Sequence, residues 1–207
     1  MAASDARTLH CPFSTGAVVR RVTLVLGGAR SGKSHYAEAL ARRPKRRQTY
    51  IATAEITDDE MRERIARHRK DRGDKWRTIE APVDLIAALR QADGAHAFTL
   101  IECLTVWMNN LIYHGKDVAR EVEHLRASLV GCEGHVVIVS NEVGLGIVPD
   151  NVLARHFRDE AGRANQTIAD VADEVVFVAA GLPMMLKKPG RGAKRAESKA
   201  KGRGRRG

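Results

Sequence analysis

One eight-residue segment constrains the fold of this chain more than any other feature. Residues 27–34 read GGARSGKS and match G-x-x-x-x-G-K-[ST], the pattern of a phosphate-binding loop, or P-loop. An apolar run at 22–26 precedes the motif, and a helical pattern over 33–43 follows it. This motif binds phosphate where a strand turns through glycines into a helix. The segment therefore predicts a P-loop in an α/β fold, with a chance glycine-rich turn as the alternative.

Each residue type in the loop has a predicted role in binding a nucleoside triphosphate. Gly27 and Gly32 allow backbone conformations and close approaches that a Cβ would obstruct. The loop amides and the helix N-terminus present partial positive charge to phosphate oxygens. Lys33 is expected to bridge the β- and γ-phosphates, and the Ser34 hydroxyl to be a ligand of Mg²⁺. The remaining nucleotide-binding positions of the loop are Gly28, Ala29, Arg30 and Ser31.

The rest of the chain alternates between strand and helix patterns. Apolar runs typical of buried strands lie at 22–27, 49–54, 98–104, 135–141 and 174–180. Helical patterns lie at 33–43, 58–72, 82–91, 118–130 and 150–172. Strands separated by helices predict a mostly parallel sheet flanked by helices. We find no internal repeat and no linker that would divide the body of the chain.

The positive charge of the chain is concentrated at its C-terminal end. Of the formal net charge of +10, residues 187–207 carry +9, because they hold ten Lys or Arg and one acid. This tail is too polar to fold, so we expect a disordered, solvated extension or a loose electrostatic tether. Contact with RNA, DNA or a membrane surface is the alternative. Since aromatic residues make up only 4%, a nucleic-acid reader built on base stacking is disfavoured.

Hydropathy and cysteine content predict a cytoplasmic protein. No apolar run approaches the roughly 18–20 residues that span a bilayer, and the first twenty residues lack the apolar core of a signal peptide. The three cysteines, Cys11, Cys103 and Cys132, are widely spaced and form no CxxC pair. That spacing indicates neither a disulfide framework nor a zinc site, and it suits a reducing compartment.

Two further residues outside the loop are candidates for chemistry. Glu102 ends the apolar run that begins at residue 98, where a carboxylate could hold Mg²⁺; an acid that faces solvent is the alternative. His68 shares one helical face with Met61 and Ile65, in a helix rich in arginine. This histidine is either a residue at the edge of the core or a nucleophile held near phosphates.

Two later stretches have the composition of a ligand site. Residues 141–149 read NEVGLGIVP and follow the fourth predicted strand, at the edge where ligands collect in open α/β sheets. The predicted helix after them carries several arginines together with Asn165 and Gln166. A flexible loop and a charged surface helix are the corresponding alternatives.

Together these segments resemble the bifunctional adenosylcobinamide kinase / adenosylcobinamide-phosphate guanylyltransferase family of cobalamin biosynthesis. The resemblance rests on GGARSGKS at 27–34, YIATA at 50–54, DEM…RI…H across 59–68, WRTIE at 76–80, ECLT at 102–105, NEVG at 141–144 and R…FRD…GR…NQ across 155–166. It covers residues 21–186 and predicts a kinase/guanylyltransferase domain there. Residues 1–20 are then an N-terminal extension, and residues 187–207 are the basic tail.

The resemblance implies a RecA-like P-loop NTPase fold, a homotrimer and two successive reactions. A nucleoside triphosphate, ATP or GTP, phosphorylates adenosylcobinamide. GMP then passes from GTP to adenosylcobinamide phosphate through a guanylylated histidine, which releases pyrophosphate and leaves adenosylcobinamide-GDP. His68 is the only histidine in the matching motif, so it becomes the expected nucleophile. Guanine-nucleotide contacts are implied at Thr53, Ala54, Glu55, Arg72 and Glu80.

Two other function classes remain open from the sequence. One is a P-loop kinase or nucleotidyltransferase that acts on a different small molecule. The other is a P-loop ATPase associated with nucleic acid through the basic tail, although the nearly neutral body of the chain speaks against it.

Overall fold

The computed structural model describes residues 20–41, 47–55 and 75–188. In chain order the elements are β1 (Arg21–Gly27), α1 (Lys33–Leu40), β2 (Arg47–Ala52), β3 (Arg77–Glu80), α2 (Leu85–Ala92), β4 (Ala97–Glu102), α3 (Leu104–Tyr113), α4 (Val118–Gly131), β5 (His135–Asn141), α5 (Val152–Val171), β6 (Glu174–Ala179) and β7 (Leu182–Lys187). The predicted helix at 58–72, and with it His68 and Arg72, lies outside the described residues.

The described strands form one sheet of seven, in the order β3-β2-β4-β5-β1-β6-β7. Every neighbouring pair is parallel except β6 and β7, which form an antiparallel pair at one edge. The predicted α/β fold with a mostly parallel sheet is confirmed. In this order β5 separates the strand that enters the P-loop from the strand that ends at Glu102.

Both faces of the sheet are covered, which is why its central strands lack polar alternation. Along β1, Leu24 packs into a core cluster with residues of α2, α3, α4 and α5, while Val25 packs into a second cluster with residues of α1. Trp107, fully buried in α3, belongs to the first cluster and Phe98 to the second. Burial on two sides therefore fixes the P-loop strand between helices.

Three elements were not predicted from the sequence. The predicted strand at 98–104 ends at Glu102, and Leu104 begins α3 instead; a continuous apolar run does not distinguish a strand from the start of a buried helix. The strands β3 and β7 lie at the two edges of the sheet and are mostly exposed. Neither edge strand has the buried apolar run by which the other strands were recognised.

The described chain ends just after β7. Lys187, assigned to the basic tail from its charge, is the last residue of that strand. Its Nζ donates to the backbone oxygens of Ala169 at 2.9 Å and Asp170 at 2.8 Å, near the end of α5. These contacts tie the end of β7 to a helix, so Lys187 belongs to the folded body. No helix in the described part of the chain has the length and apolar character needed to span a membrane.

Candidate active site

The P-loop is shaped by two glycines with little room around them. Gly27 is buried at the end of β1, and a Cβ there would lie 2.5 Å from both Ser31 Oγ and the backbone oxygen of Val178. Gly32 has φ of 93° and immediately precedes α1. The Ser31 carbonyl accepts a 2.8 Å hydrogen bond from the Gly181 amide, in the turn between β6 and β7. The loop is thus held against the neighbouring edge of the sheet.

The other residues of the loop surround the N-terminus of α1. Ala29 and Arg30 are exposed, Gly28 is half-buried, and Ser31 is buried. Lys33 is 8% exposed, and its Nζ donates to the Gly28 carbonyl at 3.2 Å. The ammonium therefore lies over the loop, at the end of a helix where backbone amides already favour an anion. This is the arrangement expected for a phosphate cradle.

Ser34 and Glu102 are in contact at the carboxyl end of β4. The Ser34 hydroxyl, in the first turn of α1, donates to Glu102 Oε1 at 2.7 Å, and both residues are half-buried. Since β5 lies between β1 and β4, this contact joins the helix that follows the P-loop to a strand that is not a neighbour of β1. A hydroxyl and a carboxylate oxygen are ligands that Mg²⁺ accepts, with waters and nucleotide oxygens in the remaining positions. The pair fits the predicted metal site.

Thr53, just after β2, holds the backbone next to Glu102. Its hydroxyl accepts from the Cys103 amide at 2.7 Å and lies 3.0 Å from the Glu102 carbonyl oxygen. The Thr53 amide also donates to that carbonyl, at 3.0 Å. Because Thr53 is fully buried and its hydroxyl serves these backbone groups, its role in the structure is to position the strand end that carries Glu102.

A second hydroxyl extends this network to β5. Thr105 Oγ1 accepts from the backbone amide of Asn141 and from its Nδ2, each at 3.0 Å, and lies 3.0 Å from Cys103 Sγ. Burial, and after it the charge of Glu102, raises the pKa of the Cys103 thiol. Cys103 is therefore a neutral packing and hydrogen-bonding group rather than a nucleophile.

The described positions implied as guanine contacts lie on the far side of Glu102 from the P-loop. Glu80 ends β3, and Glu102 ends β4; both are in register with Ala52 of β2, which lies between them. Glu55 lies three residues after β2, and its Oε2 is 3.2 Å from Nε2 of His114, at the end of α3. From the sequence alone His114 shows no ligand spacing and is interpreted as a structural or exposed histidine. Ala54 is half-buried beside them.

The structure therefore brings the predicted site residues that it describes, which exclude His68 and Arg72, to the carboxyl ends of the parallel strands. The P-loop, Ser34 and Glu102 are in direct or near contact, and Glu55 and Glu80 follow along the same edge. Sequence reasoning named Thr53 only as an implied nucleotide contact, missed Thr105, and left Asn141 without a stated role. All three residues lie in the segments that resemble the family. The sequence around a single hydroxyl, however, does not indicate which group it hydrogen-bonds to.

Comparison with known proteins identifies the family. The profile of the cobinamide kinase / cobinamide phosphate guanyltransferase family matches residues 23–186. The bifunctional adenosylcobalamin biosynthesis protein CobP of Pseudomonas aeruginosa is 46% identical over 168 residues, which cover 79% of this chain and 96% of that protein. This chain belongs to that family.

Other relatives agree with this assignment. The bifunctional adenosylcobalamin biosynthesis protein CobU of Escherichia coli is 42% identical over 179 residues, covering 79% of this chain and 98% of that one. Among solved structures, a protein of Pyrococcus horikoshii superposes with a TM-score of 0.50 at 9% identity, over 84% of this chain and 89% of that protein. At such low identity the superposition indicates a shared fold alone. The family match thus extends over the P-loop, Glu102 and Asn141 together.

Proposed function

We propose that this chain phosphorylates adenosylcobinamide and then transfers GMP from GTP to the product, giving adenosylcobinamide-GDP. Membership of the cobinamide kinase / cobinamide phosphate guanyltransferase family supports the reaction pair. The main structural support for this proposal is the 2.7 Å contact between Ser34 Oγ and Glu102 Oε1. It lies beside a P-loop in which Lys33 Nζ donates to the Gly28 carbonyl. These groups assemble where a triphosphate and its metal would bind.

In the first reaction the chain positions the donor and neutralises its charge. The loop amides and Lys33 hold the β- and γ-phosphates, and Lys33 stabilises the negative charge that develops during transfer. Mg²⁺, held by Ser34 and Glu102, would supply further charge neutralisation at the phosphate oxygens. Thr53 keeps the Glu102 backbone in place for this task. Either ATP or GTP satisfies this chemistry.

In the second reaction we assign the nucleophile to His68, from the family motif. An imidazole nitrogen bonds to the α-phosphorus of GTP, the bond between this phosphorus and the α–β bridging oxygen breaks, and pyrophosphate leaves. An oxygen of adenosylcobinamide phosphate then attacks the same phosphorus and releases the histidine. We further assign Thr53, Ala54, Glu55, Arg72 and Glu80 to the guanine-nucleotide site, with Thr53 acting through the backbone it holds.

An experiment with GTP labelled at different phosphates distinguishes the two reactions. The chain is incubated with Mg²⁺ and GTP labelled at either the α- or the γ-phosphate, with and without adenosylcobinamide. We expect acid-labile, base-stable label on the protein only from the α-phosphate, and label on the corrinoid from the γ-phosphate. Absence of both labels rejects the proposal, and phosphorylation of a different small molecule would indicate another kinase.

The role of His68 is tested with one variant and a matched control. His68→Ala is expected to abolish α-label on the protein while phosphorylation of adenosylcobinamide continues. His124→Ala, at a half-exposed histidine of α4, should behave as the unsubstituted chain in both assays. Equal loss of both activities in His68→Ala would mean that this histidine supports the fold rather than the transfer.

We also propose a homotrimer that works in the cytoplasm. Exposed apolar side chains support self-association: Leu145 and Ile147 are 80% and 98% exposed after β5, and Leu182 in the edge strand β7 is 69% exposed. Light scattering on the purified chain should give three times the 22.7 kDa chain mass. A monomeric mass at micromolar concentration would contradict this assignment.

A further inference from the structure

In the described part of the molecule, a groove lies between α2 and α4. Both helices pack on the face of the sheet that also carries α3 and α5. The groove has a volume of about 540 Å³, and its apolar lining includes Ile86 and Leu89 of α2 and Ala127 of α4. The exposed side chains of Arg90 and His124 form part of its rim. This volume is in the range of cavities that hold a compact apolar ligand.

The groove lies at the opposite end of the sheet from the P-loop. Asp93 lines it between the end of α2 and the start of β4, and Cys132 lines it between the end of α4 and the start of β5. These connections lead into the amino ends of the two strands, whereas the P-loop and Glu102 lie at carboxyl ends. A segment bound in the groove therefore occupies a surface that the proposed reactions do not use.

The chain enters the described structure beside this groove. The Arg21 amide donates to the Gly134 carbonyl at 3.1 Å. The Gly134 amide in turn donates at 3.0 Å to Oδ1 of Asp93, which lines the groove. Arg20 Nη2 donates to the carbonyl of Leu129, in the last turn of α4, at 3.3 Å. The N-terminal extension therefore joins the folded body at the groove.

The extension has the length and the composition to fill the groove. Residues 9–13 read LHCPF and place Leu9 and Phe13 four positions apart. Phe13 lies seven positions before Arg20, and an extended chain of that length spans roughly 23–25 Å at about 3.3–3.6 Å per residue. The part of the groove that runs along α4 is only about 10 Å long, at a rise of about 1.5 Å per residue. Phe13 can therefore reach any part of the groove.

The basic tail is a poorer candidate for the same groove. It follows Lys187, which contacts the end of α5, and α4 packs between α5 and α2 on this face. Residues 188–207 also contain no valine, isoleucine, leucine, methionine or aromatic residue. An apolar groove gains little free energy from binding such a segment. Position and composition thus both favour the N-terminal extension.

We propose that the N-terminal extension docks into this groove of its own chain, with Phe13 packed against Leu89 and Ala127. The docked segment covers the connections that lead into β4 and β5. It stabilises the fold by removing apolar surface from water, and it takes no part in either transfer reaction. The proposal goes beyond the proposed function and does not depend on it.

A cysteine placed in the groove reports directly whether the groove is covered. Ala127→Cys is made in a chain that also carries Cys11→Ser, and its rate of modification by a maleimide is measured with and without residues 1–18. We expect the extension to slow this modification by about tenfold or more. Ala87→Cys, at an exposed position of α2 outside the groove, should react at the same rate in both chains.

The two remaining native cysteines do not interfere with this reporter. Cys103 and Cys132 are both buried. Burial raises the pKa of both thiols, to about 12 for Cys132, so both stay neutral and react slowly. The measured rate therefore belongs to the introduced cysteine.

Melting temperatures test the anchor and the groove together. Phe13→Ser removes the anchor, and Ala127→Lys blocks its place, so each should lower the melting temperature by about 3–10 °C. The double variant should melt no lower than the more affected single variant, since both substitutions remove the same contact. Ala87→Lys should leave the melting temperature unchanged. Additive losses in the double variant would overturn the proposed contact.

Cross-linking identifies the chain that supplies the segment. In a chain that carries Ala127→Cys and the native Cys11, a short bismaleimide should join the two cysteines within one chain, so the denatured mass stays that of a single chain. A product of twice that mass would overturn the proposal, because a neighbouring copy would then supply the extension.

The modification rates give two further outcomes that would overturn the proposal. A fast rate with and without residues 1–18 means that the groove stays open. A slow rate in both chains means that a second copy or another part of the molecule covers it. Transfer activity enters none of these readouts, so failure of the proposed function leaves the test intact.

Discussion

At the scale of single residues, two adjacent glycines of the P-loop differ in their surroundings. A Cβ on Gly27 would lie 2.5 Å from a backbone oxygen of β6, whereas a Cβ on Gly28 would meet no atom within 4 Å. Backbone cannot move aside as a flexible side chain can. The first glycine of the motif is therefore required by the close approach of β1 to β6, and the second is not required by packing.

This difference gives a prediction at neighbouring positions. Gly27→Ala should displace the loop, lower the free energy of unfolding by about 1–3 kcal/mol and weaken nucleotide binding by tenfold or more. Gly28→Ala should leave stability close to that of the unsubstituted chain. Chemical denaturation and nucleotide titration of the two variants provide the measurements. Equal effects of the two substitutions would show that the Gly27 contact does not constrain the loop.

At the scale of elements, the ends of β2 and β4 are joined by one side chain. The Thr53 hydroxyl satisfies the Cys103 amide, and Asn110 of α3 donates to the Thr53 carbonyl at 2.7 Å and to the Pro82 carbonyl at 2.9 Å. These buried polar groups have no access to water, so each must be paired within the protein. The strand end that carries Glu102 depends on this network for its position.

Thr53→Val separates the hydrogen bonds of this network from its packing. Valine fills the same space but leaves the buried Cys103 amide unpaired, so we expect a loss of about 1–3 kcal/mol in the free energy of unfolding. The KM for Mg²⁺ should rise as Glu102 loses its fixed position. Thr53→Ser keeps the hydroxyl and should cost about 1 kcal/mol or less. If Thr53→Val and Thr53→Ser lower the free energy of unfolding equally, the Thr53 hydroxyl does not stabilise this strand end.

Elements differ in how well the sequence predicts them. The strands β1, β5 and β6 were found close to their observed bounds, because strands buried on both faces are continuously apolar. The edge strands β3 and β7 were missed, since they are mostly exposed. The start of α3 was taken for the end of a strand because Leu104 follows β4 after a single residue, Cys103. For these elements, residues that are distant in the sequence but adjacent in the fold decide whether the segment forms a strand or a helix.

At the scale of the whole molecule, most of the net charge lies in the sequence that follows β7. Residues 188–207 hold nine Lys or Arg and one acid, which gives +8 of the formal +10, whereas Lys187 contacts the end of α5. The groups proposed to hold the phosphates and the metal lie in the P-loop, in α1 and at the end of β4. Catalysis and the basic segment are therefore expected to be separable.

Truncation tests this separation at a defined point. A chain that ends after Lys188 should retain the melting temperature and both transfer activities, because every contact of Lys187 is kept. A chain that ends after Leu186 should melt at a lower temperature, since the two bonds to α5 are lost. Any salt-dependent binding of RNA or DNA should be lost in both truncated chains, because both lack residues 189–207. Loss of transfer activity in the chain that ends after Lys188 would show that the tail takes part in catalysis.

The sequence by itself determined the class of fold, the phosphate-binding loop and the family, because these depend on short-range patterns of residue type and spacing. It also singled out Glu102 and Ser34, whose chemistry each follows from its own position in a motif. Only the tertiary structure decided that these two side chains meet, that Thr53 and Thr105 hold the strand ends, and that Asn141 at the end of β5 bonds to Thr105 of α3. Contacts between residues 36 to 68 positions apart arise from strand order, and strand order is set by packing of the whole sheet.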